Sequence, residues 1–129
     1  MGGRPRHLRS EEVMFLRMFR SDAAIKQLKR CAYCTEPLKC DGVTGDHIMP
    51  RSAGGSTTRK NISACCGPCN RSKGAMSVRA FVSAIQNPAP GAPMHILLAH
   101  IRWRLSSRTW EACGKIRRAV GMPADVGRF

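Results

Sequence analysis

Two Cys-x-x-Cys pairs, Cys31/Cys34 and Cys66/Cys69, constrain this chain more than any other feature. Two residues between paired cysteines let both sulfurs reach one ion, and zinc prefers four thiolate or imidazole ligands in a tetrahedron. A redox dithiol needs only one such pair. Two pairs point to a structural zinc held by Cys31, Cys34, Cys66 and Cys69, with its binding energy acting as folding energy. A chain of 129 residues gains from such a staple, because a domain this short buries a modest core. Residues 35–65 separate the pairs, a longer gap than the roughly 15–20 residues of a simple zinc ribbon. A hairpin inserted between the knuckles accounts for the excess. Cys65 adjoins Cys66 and competes with it, but Cys66 has the better spacing to Cys69. Seven cysteines therefore leave Cys40, Cys65 and Cys113 as reduced thiols.

Charge narrows the partners. Lys and Arg number 22 against 8 acids, a formal net charge of +14 spread from Arg4 to Arg128. Such a chain binds polyanions with release of counterions, so nucleic acid is the expected partner, DNA first and RNA also open. No apolar run reaches the roughly 18–20 residues needed to span a bilayer, and no membrane is expected. The start, Met1-Gly-Gly-Arg-Pro-Arg-His7, has no apolar core of a secretory signal. A cytoplasmic location is expected, and it argues against disulfides.

Four segments are expected: a basic arm and helix over 1–30, a core over 31–86, a Pro-rich linker over 87–93 and a basic helical segment over 94–129. In the first, a helix spans 10–30, with Ser10 as N-cap, Glu11 and Glu12 in its first turn, and Lys26, Lys29 and Arg30 in its last. Val13, Leu16, Phe19, Ile25 and Leu28 form its apolar stripe, with a break around Ser21-Asp22. Residues 43–48 and 61–65 read as short strands joined by a turn-rich loop over 49–60. A helix starts near Pro68, at its first position, and runs through Asn70 and Lys73 until Gly74. Val78, Phe81, Val82 and Ile85 mark a further amphipathic helix. Two more helices are expected over 94–105 and 109–120, the second stopped by Gly121 and Pro123 and packed on the core more readily than docked on nucleic acid.

The run Asp46-His47-Ile48-x-Pro50, Gly54-Gly55, Asn61-Ile62, Cys66-x-x-Cys69-Asn70-x-x-Lys73 resembles the HNH endonuclease family over residues 31–74. The resemblance implies a small α+β fold: a ββα-metal (His-Me) finger around one divalent cation, here stapled by zinc and flanked by N- and C-terminal helices. It implies metal-dependent hydrolysis of DNA to 5′-phosphate and 3′-hydroxyl ends. His47 is then the general base toward water, and Asp46 a ligand of the cation. Asn70 stands where the family often has its last histidine, which makes this an H-N-N variant. An amide oxygen beside a carboxylate suits Mg²⁺ or Mn²⁺. Asn61 resembles the central asparagine, whose side chain bonds backbone groups across the 49–60 loop and holds His47. Arg51 and Lys73 are expected at the phosphate, and His7, His95 and His100 at the surface or in packing.

Asp46 and His47 are adjacent on a strand, so their side chains point to opposite faces in ideal geometry, and a bulge or twist next to Gly45 is needed to bring both to one site. Compact stand-alone proteins of this size resemble phage or prophage proteins that assist DNA packaging in a bacterial host, or homing and restriction nucleases. A zinc-dependent nucleic-acid-binding module without catalysis, or an accessory subunit of a larger DNA-processing machine, are the alternatives. A monomer nicks one strand; cutting both needs a dimer or two encounters.

Overall fold

The computed structural model describes residues 10–39 and 42–106. In chain order they form helix α1 (Ser10–Lys26), strand β1 (Val43–His47), strand β2 (Ile62–Cys66), and helices α2 (Gly67–Lys73), α3 (Val78–Gln86) and α4 (Met94–Ser106). Short 3-10 turns lie at Arg51–Ala53 and Arg59–Asn61. This is the small α+β arrangement expected, a strand–loop–strand–helix unit flanked by helices. The basic arm before Ser10, the helix expected over 109–120 with Gly121 and Pro123, and Cys40 and Cys113 lie outside the described residues.

β1 and β2 pair antiparallel in unbroken register, from Val43 opposite Cys66 to His47 opposite Ile62. The bulge expected beside Gly45 is absent. Gly45 instead lets α1 approach: a Cβ there would lie 2.8 Å from Leu16 Cδ1 and 3.2 Å from Arg20 Cβ. Residues 45 and 47 therefore face α1, and residues 44 and 46 face the other way. All five β2 residues are buried, which suits a short strand covered on both faces.

α1 carries Glu11 and Glu12 in its first turn and Lys26 in its last, as the helix dipole favours. It runs unbroken through Ser21, whose Oγ donates to the Arg17 carbonyl at 3.0 Å. It ends at Lys26 rather than Arg30. Leu28 and Lys29 then take left-handed backbone angles, φ 59° and 58°, which turn the chain into the first knuckle. The apolar stripe is correspondingly shorter than expected. Val13, Leu16 and Phe19 are half-buried, but Ile25 and Leu28 are exposed, and the buried positions at this end are Ala23 and Gln27.

Gln27 closes the outer edge of β2. Its Nε2 donates to the carbonyls of Ala64 and Arg30, each at 2.8 Å, and its Oε1 accepts from the Ala64 N–H at 3.0 Å. An uncapped strand edge invites pairing with another chain. Gln27→Ala leaves the Ala64 N–H buried without this partner and should cost about 2–3 kcal/mol. In urea unfolding the midpoint should fall with little change in slope.

α2 begins one residue earlier than expected, so Pro68 takes its second position, and Gly74 caps its end. Ser77 caps α3, its side chain accepting from the Ala80 N–H, and Val78, Phe81, Val82 and Ile85 turn inward as their spacing reads. α4 packs back onto α3 and α2, burying Ile96 and Ala99. The core thus runs from the cysteine knuckles through Tyr33 and Phe81 to α4. No helix among the described residues is long and apolar enough to cross a membrane.

Candidate active site and metal centre

The sulfurs of Cys31, Cys34, Cys66 and Cys69 all lie within 4.8 Å of one another, and all four residues are buried. Cys34 Sγ and Cys66 Sγ are 3.9 Å apart. That is far beyond a disulfide bond of about 2.05 Å. It is close to the edge, about 3.8 Å, of a tetrahedron with Zn–S bonds of about 2.3 Å. Four thiols packed this tightly resist shared ionisation. Against burial, hydrogen bonds from Cys34, Cys66 and Cys69 hold the Cys31 thiol well below its usual range. Hydrogen bonding to Cys31 in turn pushes Cys34 and Cys69 far up. A bound dication removes that conflict by stabilising all four thiolates. Cys65 is outside the cluster: its sulfur lies 3.4 Å from Thr44 Oγ1, and burial pushes its thiol well up. Arg102, from α4, donates to Cys69 Sγ at 3.3 Å and brings a positive charge to the thiolates.

Asp46 is buried on the face of β1 turned away from α1. Tyr33, from inside the first knuckle, reaches its Oδ2 at 2.5 Å, and the Tyr33 hydroxyl also lies 3.1 Å from Ser63 Oγ. Lys73 Nζ lies 3.1 Å from the same Oδ2 and 3.5 Å from the His47 carbonyl. Lys73, expected at the phosphate, is turned inward with a fully buried side chain, because the end of α2 packs on β1. Asn70 sits one turn earlier on α2, half-buried. Among the described contacts, Asp46 meets α2 through Lys73 and not through Asn70.

His47 lies on the opposite face, half-buried. Its Nε2 is 2.9 Å from Thr57 Oγ1, and Thr57 donates to Glu12 Oε2 of α1 at 3.4 Å. A hydroxyl has one proton to give. With that proton aimed at the carboxylate, Thr57 accepts from Nε2–H, and Nδ1 keeps its lone pair. Burial, and next the Arg51 charge, hold the imidazole below its usual pKa, while Asp46 and Glu12 pull the other way. Arg51, also expected at the phosphate, pairs with Glu12 at 2.7 Å. Arg59 pairs with Asp22 and stacks 5.0 Å from the Phe19 ring centre. These contacts fasten the 49–60 loop to α1.

Asn61 closes that loop. Its Oδ1 accepts from the Met49 N–H at 2.8 Å, and its Nδ2 donates to the carbonyls of Met49 at 3.1 Å and Ser56 at 2.8 Å. Gly55 makes the closure possible: a Cβ there would fall 1.7 Å from the Met49 carbonyl oxygen. The strand end therefore carries Asp46 and His47 on opposite sides, as their adjacency requires.

Sequence reasoning missed Tyr33, Glu12, Thr57 and Gln27. Tyr33 alone carried a signal, as a polar aromatic enclosed between two ligand cysteines. Of the other histidines, His95 bonds Ser72 at 2.6 Å and His100 bonds the Ile85 carbonyl at 2.6 Å, both in helix packing.

Two comparisons bear on this geometry. Residues 31–85 match the family model described as HNH endonuclease. The CRISPR-associated endonuclease Cas9 of Corynebacterium diphtheriae is 43% identical over 58 residues, which is 44% of this chain and 5% of that protein. The matched stretch carries the cysteine cluster, Asp46, His47, Asn61 and Asn70, and over it this chain is similar to the HNH endonuclease family.

Proposed function

We propose that this chain is a divalent-cation-dependent endonuclease that hydrolyses DNA phosphodiester bonds, with His47 as general base and a structural zinc on the four cysteines. The observation that carries the reading is the His47 imidazole. It is held at Nε2 by Thr57, leaves Nδ1 as the basic nitrogen, and stands beside a buried carboxylate on the opposite face of the same strand end.

Nδ1 takes a proton from water, and the water oxygen attacks phosphorus as the P–O3′ bond breaks, with the departing 3′ oxygen taking up a proton from solvent. Attacking and leaving oxygens lie roughly in line, so the groups that serve them belong on opposite sides of the phosphorus. Asp46 and Asn70 are the oxygen donors we assign to the cation. Two such ligands, with water in the other positions, suit Mg²⁺ or Mn²⁺. When bound, the cation neutralises charge on the phosphate and the leaving oxygen. Asn61 fixes Ser56 and so the neighbouring Thr57, which orients His47. The net charge of +14 favours a polyanionic substrate.

Cleavage of an end-labelled DNA duplex in Mg²⁺ should give 5′-phosphate and 3′-hydroxyl ends that a DNA ligase rejoins. Products ending in a 3′-phosphate would rule out this path.

A further inference from the structure

One side chain joins the cysteine knuckle to Asp46. Tyr33 sits between Cys31 and Cys34, fully buried, and its hydroxyl reaches Asp46 Oδ2 at 2.5 Å. Its ring meets Phe81 edge to face, with centres 5.4 Å apart and planes at 83°. The hydroxyl donates and the carboxylate accepts. Every residue from Cys31 to Cys34 is fully enclosed. The ring is therefore aimed by the same backbone that aims two of the four sulfurs.

Lys73 Nζ also lies 3.1 Å from Asp46 Oδ2, but an ammonium at the end of a long side chain sets the carboxylate's last torsion only loosely, since that torsion has broad minima. We propose that Tyr33 is a positioning residue: its hydrogen bond fixes the Asp46 carboxylate so that Oδ1 is presented to the divalent cation, and it ties that ligand's geometry to the zinc knuckle. This rests on the reading of Asp46 as a cation ligand. Partners of this kind, behind a ligand, typically contribute 10- to 100-fold in metal affinity. Tyr33→Phe keeps the ring and its contact with Phe81 and removes one oxygen.

The test uses the zinc-loaded full chain. Tyr33 is its one tyrosine, so labelling tyrosine Cζ with ¹³C gives a single resonance. Mg²⁺ should move that resonance saturably. Mn²⁺ binding, followed by electron paramagnetic resonance, should weaken about 10- to 100-fold in Tyr33→Phe while zinc content stays at one per chain. Ser63→Ala, which removes the hydroxyl's other neighbour, should bind Mn²⁺ as the wild type does. Equal Mn²⁺ affinity in wild type and Tyr33→Phe overturns the proposal and leaves the nuclease reading standing. If Tyr33→Phe does not fold, the wild-type resonance decides: no movement while Mn²⁺ still binds also overturns it. A wild type that binds no Mn²⁺ removes the assignment of Asp46 as a ligand, and this proposal with it.

Discussion

Stripping zinc with a chelator should unfold the segment around the knuckles, and returning zinc should refold it. The described sheet has two strands of five residues each, and a lone pair of strands is marginal in water. The core around it is built largely from the knuckles themselves, with Cys31, Ala32, Tyr33, Cys34, Cys65, Cys66 and Cys69 among its buried members. Zinc binding in small cysteine sites contributes about 10–16 kcal/mol. Whole domains are stable by only about 5–15 kcal/mol. Loss of the ion therefore removes a free energy comparable with the whole stability of a domain. Cys69→Ser should behave like the stripped protein in circular dichroism. Cys65→Ala should not: it removes one small buried group from outside the cluster, at about 1 kcal/mol, and zinc should remain at one per chain. Native-like dispersion in an amide NMR spectrum after zinc removal would contradict this view of the core.

His47→Ala should slow single-turnover DNA cleavage by 10²- to 10⁴-fold, the range of a lost general base. The fold should survive, because the imidazole is half-exposed and its one described hydrogen bond is to Thr57. The pH dependence follows from the same geometry. Neutral imidazole is the active form, so the rate rises with pH through the His47 pKa. Burial and Arg51 lower that pKa. The acidic limb of kcat/KM should therefore inflect below 6.5, the ordinary histidine value. An inflection above it would mean that the observed base is another group, or that Asp46 and Glu12 outweigh the burial.

Much of this site is legible in the chain because its signals are local. The two Cys-x-x-Cys spacings locate the cluster, and the choice of Cys66 over Cys65 follows from spacing alone. The hydrogen bonds across the loop that the family resemblance implies for Asn61 are present. The bulge or twist expected next to Gly45 to bring Asp46 and His47 to one site is not found: the register is unbroken, and strand alternation leaves them on opposite faces. What stayed hidden depends on how α1 and α2 pack. A lysine near a helix end reads as solvated, and only the seating of α2 on β1 turns Lys73 inward. Glu12 lies 45 residues before Thr57, and no periodicity predicts that they meet. Leu28 and Lys29 take left-handed angles without a glycine to announce the turn, so the helix ends at Lys26, short of the basic residues that mark its expected last turn. Gln27 imitates a strand edge from a helix end, a role that its residue type does not signal.

The most direct test of the central claim is cleavage of supercoiled plasmid by zinc-loaded wild type and His47→Ala, each with Mg²⁺, with Mn²⁺, or with neither. The expected result is nicked or linear DNA from wild type with a divalent cation only, and intact plasmid from His47→Ala throughout. Equal cleavage by both proteins would remove His47 from the chemistry. No cleavage by either, with zinc bound and the plasmid retarded in a gel, would instead make this chain a DNA-binding module.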